Sequence, residues 1–221
     1  QVLSTRTDLL PEDLVAELRK LQDSVPPMTA EEVDEVIATN YGESFDKLFA
    51  SFEKTPLASA SIGQVHVAKL RTDDGEADVV VKLQRPGAGD TVARDLDLMY
   101  MFARLVVTYI PESKVYSPLQ MVAEFDRAIT AELDYRVEAD NAARFRRNFA
   151  SDAELARFPL TYAVASGKRT LVMERFIGKH LDEFTAEHPE AGPRVARNAL
   201  KVVAKMIFED GFFHADPHPG N

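Results

Sequence analysis

The chain has 221 residues, 45% apolar and 28% charged, enough to bury a core as one large domain or a domain with a subdomain. Its 26 Lys and Arg against 36 Asp and Glu leave a net charge of -10, which works against nucleic acid or anionic lipid as a general partner. The absence of cysteine excludes disulfides and thiolate zinc sites and permits a cytoplasmic location.

Leu14, Leu18 and Leu21 recur at helical spacing in "PEDLVAELRKLQ", behind a proline suited to a first turn, and predict a helix from Pro11 to Gln22. Thr29 and Glu32 form a capping-box signature for a second helix through about Asn40, so residues 1–42 read as a helical extension. The period then shortens to two. "FASFEK", "IGQVHVAKLR" and "ADVVVKLQ" predict strands, the last two joined by the hairpin loop "TDDGE". Two helical stretches follow, about 90–109 and 118–149. Within the first, "LDLMYMFARLVVTYI" (96–110) is interrupted by Asp97 and Arg104 and falls short of the roughly 18 apolar residues a membrane span needs; it predicts a largely buried helix. "LTYAVAS" and "RTLVMERF" predict two further strands around a "GK" turn, and a helix over about 192–210 leads into "GFFHADPHPGN". The fold class is α+β.

Five places could carry chemistry, four of them ahead of the closing motif. In "PLASASIGQVHVA", Gly63, Gln64 and Val65 match the last positions of the kinase phosphate loop G-x-G-x-x-G-x-V, with Ala58 and Ala60 where glycines would stand. Alanine disfavours positive φ, so this loop should be stiffer than a glycine loop; a plain small-residue turn is the competing reading. Lys82 ends "VVVK", nineteen residues beyond Gly63, where a strand lysine could face phosphates. An edge charge in water is its ordinary alternative. A carboxylate partner could come from Glu132, Asp134 or Glu138 in "AELDYRVEADNA". As one continuous helix this stretch would put Asp134 and Glu138 on a common face, while a solvated face with an Arg136–Asp140 pair remains open. In "RTLVMERF", Met173 would gate an adenine pocket and Glu174 to Phe176 would offer backbone groups to the base.

The closing motif repeats the spacing of H-R-D-L-x-x-x-N, in which the aspartate positions the attacking hydroxyl or water and the asparagine binds a metal on the phosphates. His214, Asp216 and Asn221 hold those positions, and Pro217, Pro219 and Gly220 make the segment a loop. Zinc on His214 and His218 would need a helix that these prolines prevent. His66, His180 and His188 read as structural or surface residues.

In this order the motifs resemble the UbiB / AarF / ADCK family of atypical, protein-kinase-like proteins, carried by "QVLSTRTDLLP", "PLASASIGQVH", "VVVKLQRPG", "ELDYRVEADNA" and "HADPHPGN" across essentially the whole chain. The resemblance implies a kinase-like N-lobe of five antiparallel strands with helices at 43–178, the start of a C-lobe at 179–221, and an extension at 1–42 that ends the family's K-x-G-Q region at Gln1. It makes Glu132 and Asp134 the E-x-D pair, Glu138 the partner of Lys82, and Ala58, Ser59, Ala60, Ser61, Gly63 and Val65 the nucleotide loop. ATP or ADP with magnesium is the implied cofactor. An isoprenoid lipid, a quinone precursor or a lipid-biosynthetic complex is the implied partner, and membrane contact would come through segments outside this chain.

The lysine of K-x-G-Q and any D-F-G aspartate are absent, so a fragment with little activity of its own is expected. Two other readings compete: a non-catalytic nucleotide-binding scaffold for a lipid-biosynthetic complex, and a small-molecule phosphotransferase of the aminoglycoside or choline kinase type.

Overall fold

A computed structural model describes residues 26–215; the helix expected over Pro11–Gln22 lies outside them. Thr29 caps helix α1 (Ala30–Tyr41) as its sequence predicts. The Glu32 N–H donates to Thr29 Oγ1 at 3.2 Å and the Thr29 N–H to Glu32 Oε2 at 2.8 Å. Val33, Val36 and Ile37 form its buried stripe. A short turn of helix, α2 (Phe45–Leu48), leads into β1 (Phe49–Phe52).

The sheet has five antiparallel strands in the order β1-β3-β4-β5, where β3 is Gly63–Thr72, β4 is Gly75–Gln84 and β5 is Thr170–Glu174. The two-residue β2 (Ala58–Ser59) pairs with the start of β3, on the edge that β1 occupies further along. Asp73 and Asp74 make the β3–β4 turn, and Gly75 takes φ 125°, a conformation that only glycine adopts at little cost. Strand alternation sorts the residues by face. Ala68, Leu70, Val79, Val81, Leu83 and Val172 pack with the α1 stripe on the outer face. Cross-strand pairs Val65–Lys82–Leu171 and Val67–Val80–Met173 share the opposite, inner face.

Three expectations are corrected. The fifth strand is β2, because "LTYAVAS" forms only a bridge from Thr161 to Met173 before a 3-10 turn at Ala163–Ala165. The stretch 118–149 is two helices, α4 (Pro118–Glu132) and α5 (Tyr135–Asn148), preceded by α3 (Ala88–Tyr109). Asp134 breaks them: its backbone is extended and its carboxylate caps α5 by accepting from the Arg136 N–H. Finally, the apolar run in α3 is not largely buried. Leu96 and Ala103 are its buried residues, whereas Leu98 is 52% and Phe102 61% exposed, since α3 packs chiefly on α4.

Beyond β5 come α6 (Leu181–Glu187) and α7 (Gly192–Ala204), then a π-helical turn at Lys205–Glu209. A second cluster joins Phe145 of α5 and Phe149 at its C-cap to Met206, with Phe158 and Phe212 against it. No helix among the described residues is long and apolar enough to cross a membrane.

Candidate functional site

Lys82 reaches the inner face because Val81 and Leu83 beside it are wholly buried on the other. Its Nζ donates to Glu138 Oε2 at 2.6 Å and lies 4.7 Å from the centre of the Tyr135 ring. The pair is half-buried, with the lysine side chain 24% and the glutamate 43% exposed, so water still reaches the charges from one side. Two bonds hold the start of α5 against the sheet. Gln84 Nε2 donates to the Leu133 carbonyl at 2.9 Å, and the Tyr135 N–H to the Lys168 carbonyl at 3.0 Å.

Of the three candidate carboxylates, Glu138 is the one that meets Lys82. Glu132 ends α4 in an exposed position. Asp134 does not share a helix face with Glu138; it lies at the N-cap and takes both a backbone and a bidentate side-chain bond from Arg136, at 2.6 and 2.9 Å for the guanidinium. That guanidinium holds the Asp134 carboxyl down at about 2. Arg136 therefore pairs backwards with Asp134, which displaces the Arg136–Asp140 pair considered from spacing.

The alanine loop is a narrow hairpin. Ala58 and Ser59 pair with Val65 and Gln64, and the Ala60 N–H donates to the Gly63 carbonyl at 2.8 Å, leaving Ala58, Ser59, Ala60 and Ser61 exposed at the rim. Among the described residues the only non-glycine at positive φ is Ser117, and Gly63 is not among the positive-φ glycines. Alanines are thus accommodated without strain. Gly63 is needed for space instead: a Cβ there would collide with Tyr135 Oη and lie 2.7 Å from the Leu83 carbonyl oxygen. Tyr135 is the residue sequence reasoning missed. It is 1% exposed, and burial, reinforced by the Glu138 carboxylate, pushes its phenol well above the ordinary value. The available signal was an aromatic residue directly after a helix-capping aspartate.

Val65, Val80 and Met173 are each half-buried on the inner face beside Lys82. The result is an apolar shelf ending in a cation, a surface whose chemistry fits a flat base at one end and phosphates at the other. Of the backbone groups expected to meet a base beyond Met173, two N–H groups are engaged within the protein. Glu174 N–H donates to the Leu160 carbonyl at 2.8 Å and Arg175 N–H to the Asp78 carbonyl at 3.1 Å. The Glu174 carboxylate accepts from Arg157 Nη2 at 3.0 Å and the Leu160 N–H at 3.2 Å, while Phe176 lies under the Arg157 guanidinium. His66 is wholly buried, stacked on Phe52, with Nδ1 3.0 Å from the Glu53 carbonyl, and burial lowers its pKa.

His214 is exposed in the last described segment; Asp216, Asn221 and Gln1 lie outside the described residues. Among the described residues no group of three or more His, Asp and Glu is placed to hold a metal.

A five-stranded antiparallel sheet whose inner lysine is met by a helix glutamate is a kinase-like N-lobe. The chain belongs to the ABC1 atypical kinase-like domain family, which matches residues 20–221. It is 42% identical over 223 aligned residues to "Probable protein kinase UbiB" of Marinobacter nauticus, covering 100% of this chain and 40% of that protein. The protein of the same name from Aeromonas hydrophila is 39% identical with the same coverage. The chain therefore spans about 40% of the length of these curated relatives. A solved structure of Rv3197 with erythromycin from Mycobacterium tuberculosis superposes with a TM-score of 0.73 at 30% identity, over 99% of this chain and 54% of the other.

Proposed function

We propose that the inner face binds an adenine nucleotide, ATP or ADP, with magnesium, and that the parent protein is an atypical kinase or ATPase serving isoprenoid-quinone biosynthesis of the ubiquinone type or lipid homeostasis. The Lys82–Glu138 pair carries this reading, because a strand lysine held by a helix carboxylate is a cation kept at a fixed point beside an apolar shelf. The names of the curated relatives support the kinase class.

In this reading Lys82 binds phosphate oxygens and Glu138 keeps its ammonium from swinging into solvent. Val65, Val80 and Met173 take the base, with Phe176 and carbonyl oxygens left to meet its polar edge, since the N–H groups of Glu174 and Arg175 are engaged. Asp216 positions the attacking hydroxyl or water and Asn221 binds the metal, both by the sequence motif. Magnesium, when bound, neutralises phosphate charge. Residues 43–178 act as the N-lobe and 179–221 as the start of the C-lobe; the extension at 1–42, which begins at Gln1, and the Glu132–Asp134 pair regulate access.

Titration of the full-length protein with Mg-ADP and Mg-ATP tests the reading. Lys82→Ala should weaken binding about tenfold or more, and equal affinity for wild type and variant would overturn it. Complementation of a quinone-deficient strain by Asp216→Asn would instead favour the non-catalytic scaffold.

A further inference from the structure

Arg85 follows β4 by one residue and its side chain reaches two distant segments. Nε donates to the Ala60 carbonyl at 3.1 Å, while Nη2 donates to Ser59 Oγ at 2.8 Å and to the Pro26 carbonyl at 2.7 Å. Its own N–H donates to the Ile62 carbonyl at 2.9 Å. These bonds matter because β2 is only two residues long and the loop around it is exposed. A two-residue strand holds an edge segment weakly. The planar guanidinium, with its fixed fork of donors, can satisfy several acceptors at once where a lysine ammonium cannot do so in the same geometry.

The Ala60–Ser61 peptide gives the clamp a direction. All described peptides are trans, so a carbonyl and the N–H that follows it point opposite ways. With the Ala60 carbonyl turned to Arg85, the Ser61 N–H points away from it. We propose that Arg85 is a positioning residue that fixes the alanine loop and orients the Ser61 N–H for a phosphate oxygen, taking over by an outside clamp what backbone freedom does in a glycine loop. The phosphate part rests on the nucleotide reading above; the clamping of the loop does not. Through Pro26 the same guanidinium ties the loop to the chain entering α1, so a shift there would be felt at the loop.

The test uses the full-length protein with Arg85→Ala and Arg85→Lys. In the nucleotide-free state, hydrogen–deuterium exchange should rise at residues 58–63 in Arg85→Ala and rise less in Arg85→Lys, with α5 unchanged. Affinity for Mg-ADP should fall about tenfold in Arg85→Ala with a smaller loss in Arg85→Lys. Should Arg85→Ala fail to fold, Arg85→Lys alone decides, by the same two readings. Unchanged exchange at 58–63 overturns the clamp. Raised exchange with unchanged affinity overturns its link to phosphate. A wild type that binds no nucleotide overturns the functional reading and the phosphate role together, while the exchange data still decide the clamp.

Discussion

The hydroxyl of Tyr135 occupies the space that a β-carbon on residue 63 would need, which makes Gly63 a packing glycine beneath the alanine loop. The two residues come from different layers, Gly63 from the start of β3 and Tyr135 from the first turn of α5. Their contact sets how closely the helix that carries Glu138 can approach the strand pair that carries Lys82.

Gly63→Ala should therefore destabilise the fold by about 1–3 kcal/mol, the usual cost of forcing atoms into a packed core. Adding Tyr135→Phe should recover only part, because the Leu83 carbonyl is backbone and stays in the way. Tyr135→Phe alone should be neutral or stabilising by about 1 kcal/mol, since its buried hydroxyl has no hydrogen-bond partner. Denaturant unfolding of the three variants checks all of this. A Tyr135→Phe protein clearly less stable than wild type would show that the hydroxyl is satisfied in solution.

Glu138→Gln should retain an acceptor for Lys82 while removing the charge. Nucleotide affinity should fall by less than in Lys82→Ala, within about tenfold, and Glu138→Ala should fall between them. Equilibrium titration with Mg-ADP gives the order, and a Glu138→Ala variant indistinguishable from wild type would remove this pair from the site.

Asp134 provides a pH test. Its folded pKa, near 2, lies below the ordinary 3.8 because the Arg136 guanidinium stabilises the carboxylate. A depressed carboxyl adds stability that is complete above the unfolded value and is lost as the pH falls toward the folded one. The cap on α5 should thus weaken between pH 4 and 2. Asp134→Ala should lower the thermal midpoint at pH 7, and its difference from wild type should shrink through that window. A difference as large at pH 2 as at pH 7 would contradict the assignment.

Phe145 should prove a structural anchor far from Lys82. It is 7% exposed, with ring centres 4.9 Å from Phe158 and 4.5 Å from Phe212, and it fixes the far end of α5 to the segment leading toward His214. Phe145→Ala should cost about 3–5 kcal/mol and Phe145→Leu less, measured by denaturant unfolding. A loss under about 1 kcal/mol for the alanine variant would mean that this contact is not formed.

Much of this was legible from local patterns. Thr29 and Glu32 announce α1, the "DDG" turn announces the β3–β4 hairpin, and alternation in "ADVVVKLQ" puts Lys82 on the face opposite Val81 and Leu83. Other features misled for physical reasons. Reading 118–149 as one helical stretch hid the break at Asp134, where the capping bond to Arg136 competes successfully with one more turn of helix. The apolar run 96–110 suggested burial, yet one packed neighbour covers only a stripe of a helix that is apolar on several sides.

By itself the sequence determined what depends on residues a few positions apart: helix caps, turn glycines, strand alternation and the order of the motifs. Only the tertiary structure decided which of three carboxylates meets Lys82, why residue 63 is glycine, and which short segment, Ala58–Ser59 and not "LTYAVAS", completes the sheet. Those outcomes depend on how α5 and the strand edges pack across dozens of residues of chain, where shape and hydrogen-bond competition decide and local propensity has no say.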